Sequence, residues 1–177
     1  MLTINPRTSM VLAIDFQTRL MQAVDDAAAV IANARRLVEA ARLFEVPALF
    51  TEQNPRGLGP TVAELAPDPS AVVEKMTFDA CHWPEFLVRL PADRVLVIAG
   101  CEAHVCVLQT ALGLIERGRR VFVVRDAVAS RRAESKETAI ARMARHGVEI
   151  VTAEMVVFEW LGTAAHPLFR KAAALIK

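Results

Sequence analysis

Between Ser9 and Gly147 short apolar runs and amphipathic stretches take turns along the chain, and few architectures accept such a sequence. Ser9 to Phe16 reads SMVLAIDF, an apolar run halted at Asp15, as expected of a strand buried on both faces. Ala27, Val30, Ile31, Ala34, Leu37, Val38 and Ala41 then recur at three- and four-residue steps, the spacing of one helical face. Asp25 and Asp26 stand at the positive end of that helix and Arg42 near the other, matching its dipole. VPALFTE, DRVLVIAG and RRVFVVRD read as further strands and AVVEK as a short extended run. Residues 103–117 and 134–146 read as helices ending at Gly118 and Gly147. Alternation with short connections demands right-handed crossovers and therefore a parallel sheet covered on both faces. The expected fold is an α/β one, a three-layer α/β/α doubly wound domain over residues 1–177, with Asn54 to Pro69 as a long loop and His166 to Lys177 as a terminal helix.

Composition narrows the partners. Apolar residues make up 54% of the chain, above the average of about 45–50%, which suits a buried parallel sheet and a homo-oligomeric interface. Lys and Arg total 21 against 20 Asp and Glu, and a net charge of +1 supplies no broad field for nucleic acid or an anionic membrane. The expected partner is a small-molecule substrate. The N-terminus lacks the pattern of a secretory signal, no apolar run is long enough to span a bilayer, and Cys81, Cys101 and Cys106 are too few for a disulfide framework. Those features predict a reducing, cytoplasmic setting. His82, His104, His146 and His166 are scattered singly, so no metal is expected. No GxGxxG or GxxxxGK[ST] signature follows a strand, and no cofactor is expected.

In an open parallel sheet the ligand crevice lies beyond the carboxyl ends of the strands. Three candidate catalytic residues fall there: Asp15 closing the first strand, Lys75 ending AVVEK, and Cys106 in the first helical turn after DRVLVIAG. Each alone has an ordinary explanation as a loop anchor, a solvated cation or an inert packed thiol. Together they make a nucleophile with two partners. A thiol at a helix start beside an ammonium is expected to favour thiolate, and a carboxylate can take its proton and hand it to a leaving group. Backbone N–H groups of the GCEAHVC turn, near Cys101, Glu102 and Cys106, are candidates for an oxyanion hole. Phe16, Phe78, Trp83 and His104 are candidate pocket walls, with core filling as the alternative for the aromatic residues. Asp126, ending a strand, reads as a loop anchor.

Four segments, AIDFQ around Asp15, VVEKMTFDAC around Lys75, VLVIAGCEAHVCVLQTALGLIERG around Cys106 and VFVVRDAVASR around Asp126, resemble the isochorismatase-like cysteine hydrolase superfamily over nearly the whole chain. The loop TEQNPRGLG resembles that of the isochorismatase-domain-containing proteins of uncertain substrate. The resemblance implies that Asp15, Lys75 and Cys106 form a catalytic triad and that the Cys101–Glu102 bond is cis. Where the family commonly has Thr three residues before the nucleophile, this chain has Ala103. It also lacks the Asp-x-His metal motif of the related nicotinamidases. The implied activity is hydrolysis of a small amide or related acyl compound through a Cys106 thioester, rather than vinyl-ether hydrolysis, which uses no cysteine nucleophile. Two rivals stand beside it: a catalytically weak oligomeric scaffold that retains the fold, and a flavodoxin-like cofactor binder.

Overall fold

The computed structural model describes residues 2–176. Its strands are β1 (Ser9–Ile14), β2 (Ala48–Gln53), β3 (Val72–Lys75), β4 (Val95–Cys101), β5 (Val121–Ala129) and β6 (Glu149–Val151). Its helices are α1 (Thr18–Met21), α2 (Ala27–Leu43), α3 (Pro55–Leu58), α4 (Pro84–Val88), α5 (Leu108–Glu116), α6 (Ala133–Arg145), α7 (Ala153–Leu161) and α8 (Phe169–Leu175). The sheet runs β3-β2-β1-β4-β5-β6 with every pairing parallel, a doubly wound architecture as expected. Strand order reverses between β1 and β4, which opens the crevice at their carboxyl ends.

Period-two alternation explains why both faces are apolar. Val11 and Ala13 of β1, Val97 and Ala99 of β4 and Phe122 and Val124 of β5 point into a core shared with α2, α7 and Ala172 of α8. Leu12, Ile14, Leu96, Ile98, Val121 and Val123 point the other way, onto Phe86, α5 and α6. One residue of slip would exchange the two sets.

Several local expectations need correction. The segment from Asn54 to Pro69 is broken by α3 and a 3-10 turn at Ala63–Leu65, because Pro55 sets a helical φ at the first position of α3. Asp126 lies within β5 rather than at its end; its Oδ1 accepts from the Ala153 N–H and caps α7. β6 and α7 escaped the sequence reading: β6 is only Glu149–Val151, and α7 is apolar on most sides, so neither shows a clean period. The terminal helix is present as α8 and packs on α2 and α7, with Lys177 outside the described residues. Among the described residues no helix is long and apolar enough to cross a membrane.

Two backbone features place the end of β4 against β1. Gly100 has φ +154, and a Cβ there would collide with the carbonyl oxygen and Cβ of Ile14. The chain can therefore lie flush against the residue that precedes Asp15 only because position 100 has no side chain. The next peptide bond, Cys101–Glu102, is cis. Beyond it Ala103–Val107 form a π turn that leads into α5, so Cys106 sits in a wide turn rather than the first turn of a regular α-helix.

Candidate active site

β1 delivers Asp15 at its carboxyl end, in a left-handed conformation with φ +53. The Asp15 N–H donates to the Thr51 carbonyl at 3.1 Å, and its own carbonyl accepts from the Gln17 N–H at 2.8 Å, which holds the turn. Lys75 comes from β3, two strands away, and its stem passes over β2 to reach the carboxylate. Lys75 Nζ lies 2.8 Å from Asp15 Oδ2, and both side chains are wholly inaccessible to solvent.

The buried pair is hydrogen-bonded on all sides. Lys75 Nζ also donates to Gln53 Oε1 at 2.9 Å and to the Thr77 carbonyl at 3.2 Å, so its three protons each have an acceptor. Asp15 Oδ1 accepts from Thr51 Oγ1 at 2.6 Å. The end of β2 is therefore the scaffold of the charge pair: Thr51 orients the carboxylate and Gln53 the ammonium. Gln53 is fixed in turn, its N–H donating to Gln17 Oε1 at 2.7 Å and its carbonyl accepting from Gln17 Nε2 at 3.1 Å. Glu52 Oε1 accepts from the N–H and hydroxyl of Thr61, tying the following loop back to the sheet.

Cys106 completes the cluster from the far side of the crevice. It is 5% exposed, and the charges of both Asp15 and Lys75 act on its thiol. Side chains from the end of β1, from β3 and from the turn after β4 are thus brought to the switch point of the sheet. The thiol, however, is not the ready thiolate that the sequence predicted. Burial first, and then the charge of Asp15, push the Cys106 thiol well above its ordinary range, and the nearby Lys75 charge offsets only part of this. At rest the Cys106 sulfur is therefore held as a protonated thiol.

The other predicted residues divide. Cys101 is fully buried in the core on the α2 face, so only its backbone belongs to the turn. The Glu102 carbonyl accepts from the N–H groups of Val105 and Val107 at 3.0 and 3.2 Å, and its side-chain Oε2 accepts from Arg131 Nε at 2.9 Å. Phe16 is 1% exposed within the α2-side core. Phe78 is 54% exposed and Trp83 half-buried against the opposite core. His104 is half-buried, its Nδ1 hydrogen-bonded to Ser130 Oγ at 2.9 Å. Gln17, Thr51 and Gln53 were not singled out from the sequence; the signal available was a run of hydrogen-bonding residues, TEQ, where an apolar strand ends. Among the described residues no group of three or more His, Cys, Asp or Glu side chains is placed to hold a metal ion.

Cys101 also couples the fold to pH. Burial pushes its thiol from 9.0 up to about 12, so the native state favours the neutral form more than the unfolded chain does. The stability this contributes is intact below about pH 9 and is lost as pH rises toward 12, at about 1.4 kcal/mol per unit in that window. Urea unfolding at about pH 8 and pH 10.5 should show the loss, and Cys101→Ala should reduce the slope. An identical slope in the variant would remove Cys101 as its source.

A sequence model of the Isochorismatase domain matches residues 9–155. Isochorismatase domain-containing protein 1 of Danio rerio is 36% identical over 177 residues, covering 98% of this chain and 62% of that protein, so the chain spans less than two thirds of that relative's length. The structure of MAR1 ribonuclease from Caenorhabditis elegans superposes with a TM-score of 0.93 at 35% identity, covering 98% of this chain and 92% of that one. The YcaC gene product of Escherichia coli, an octameric hydrolase of unknown specificity, superposes with a TM-score of 0.88 at 28% identity, covering 99% and 88%.

Proposed function

Because this chain belongs to the isochorismatase family, we propose that it hydrolyses a small amide or related acyl compound through a thioester on Cys106. The observation that carries the reading is the wholly buried Asp15–Lys75 pair at 2.8 Å beside a thiol. A buried ion pair adds little or nothing to stability over an apolar pair of the same volume, so its place at the ligand crevice points to chemistry.

Asp15 takes the thiol proton as the sulfur attacks the carbonyl carbon, and the carbonyl electron pair moves onto oxygen. The N–H groups of Val105 and Val107 are committed to the Glu102 carbonyl, which puts the Cys106 N–H forward as an oxyanion donor. Collapse breaks the C–N bond, and Asp15 returns the proton to the departing amine. Water then attacks the thioester, Asp15 takes a proton from it, the acid is released and the thiol is restored. Lys75 acts by charge, since its protons already have acceptors.

A screen of small amides followed by intact-mass analysis of quenched reactions tests this: an acyl adduct should appear on wild type and be absent from Cys106→Ala. Turnover surviving that substitution removes the covalent mechanism, and absence of any turnover or adduct favours the scaffold reading. The nematode MAR1 ribonuclease gives a second reading, phosphodiester cleavage, so a labelled oligoribonucleotide belongs in the same screen. Cys106-dependent RNA cleavage without amide turnover would replace the amidase assignment.

The octameric state of the E. coli relative, with Met76 at 60% and Phe78 at 54% exposure in this chain, supports a homo-oligomer. Light scattering on the eluting protein should give a multiple of the 19.4 kDa chain. A single-chain mass would end that part of the proposal.

A further inference from the structure

Beside the π turn, between it and the start of α6, lies a cavity of about 370 Å³ lined by His104, Arg131, Arg132 and Ser135. None of the three catalytic side chains lines it; it flanks the turn that carries Cys106. Its lining is two guanidinium groups, an imidazole and a hydroxyl, all of which can donate hydrogen bonds. Arg131 is anchored by Glu102 Oε2 through its Nε at 2.9 Å and its backbone N–H at 3.0 Å, leaving both terminal amino groups without a partner among the described residues. The Arg132 guanidinium has no hydrogen bond or ion pair among the described residues. Ser130 holds Nδ1 of His104, so the other ring nitrogen is left for the cavity. The acidic groups nearby are Glu102, already paired with Arg131, and Glu134, which lines an adjoining cavity.

The contrast with a second basic cavity sharpens the case. Between α2 and α8 a space of about 380 Å³ is lined by Arg35, Arg36 and Glu39, but there Arg35 pairs with Glu39 at 2.7 Å and Arg36 donates to Asn33 Oδ1 at 2.7 Å. Beside the nucleophile's turn Arg131 is likewise paired through its Nε, with Glu102, but the neighbouring Arg132 guanidinium has no acceptor among the described residues. Such a set matches the several lone pairs of an oxyanion.

We propose that this cavity is an anion subsite, and that the substrate carries a carboxylate or phosphate group which Arg131, Arg132, His104 and Ser135 hold while its acyl carbon meets Cys106. The proposal rests on the reading of Cys106 as the nucleophile. Two nearly isosteric electrophiles separate the two ideas, iodoacetate with a negative charge and iodoacetamide without one. The ratio of their alkylation rates at Cys106, followed by peptide mass spectrometry, should fall on the order of tenfold in Arg132→Gln, the lower end of what a charged cleft contributes to encounter. Added salt should lower the wild-type ratio as well. Arg36→Gln in the other cavity should leave it unchanged. A ratio that does not respond to Arg132→Gln overturns the subsite while leaving the nucleophile in place.

If neither reagent labels Cys106, the nucleophile reading fails, and the cavity is then judged by calorimetric titration with succinate and with inorganic phosphate. Saturable binding that Arg132→Gln abolishes supports the subsite, and the tighter of the two identifies the group. Absence of saturable binding by either overturns it.

Discussion

Cys106→Ser is expected to lower kcat/KM for the best amide substrate by about 10³-fold or more, since a hydroxyl is a far weaker acid than even an elevated thiol. The base sets the difference. Asp15 is a carboxylate already accepting from Thr51 and Lys75, at 2.6 and 2.8 Å. Such a base can help a thiol whose ionisation burial has suppressed, and cannot help an alcohol. A hydroxyl is smaller than a thiol but keeps its shape and its donor, so the unfolding midpoint should shift by far less than the rate. Steady-state kinetics beside urea unfolding makes the comparison, and a variant within tenfold of wild type would show that sulfur is not the attacking atom.

The second large effect is on stability. Lys75→Met removes an ammonium that is wholly buried and leaves the Asp15 carboxylate buried with Thr51 as its remaining side-chain donor, at an expected loss of about 3–5 kcal/mol. Asp15→Asn with Lys75→Met together removes both charges and should recover a large part of that loss, because neither state then carries an uncompensated ion. Urea unfolding of wild type, both single variants and the double variant gives the coupling. A Lys75→Met loss below about 1 kcal/mol would mean the pair is less isolated from water than its burial indicates.

The parallel doubly wound sheet and the placing of Asp15 and Lys75 at the carboxyl ends of its strands were legible in the sequence for one physical reason. Strands buried on both faces read as unbroken apolar runs, and in this topology whatever ends such a run lies at the crevice. Gln53 was less visible, because nothing in a sequence says that a lysine two strands away will cross β2 and need an acceptor there. The state of the Cys106 thiol was misjudged since proximity to a helix start and a lysine argued for ionisation, whereas burial and the Asp15 charge, both products of tertiary packing, outweigh them. The π turn and the positions of Arg131 and Arg132 likewise depend on how β5 meets α6, which no local pattern encodes.

Placing Lys75 on β3 has a cost of its own. β3 is one of the two edge strands, only Val72–Lys75 long, and is paired along one side. Fraying at that margin would withdraw the ammonium from Asp15 and silence the chemistry, while the helices and the central four strands stayed docked. A population weakened this way would pass for native by its circular dichroism and be dead in an assay, so loss of activity on warming should precede loss of ellipticity.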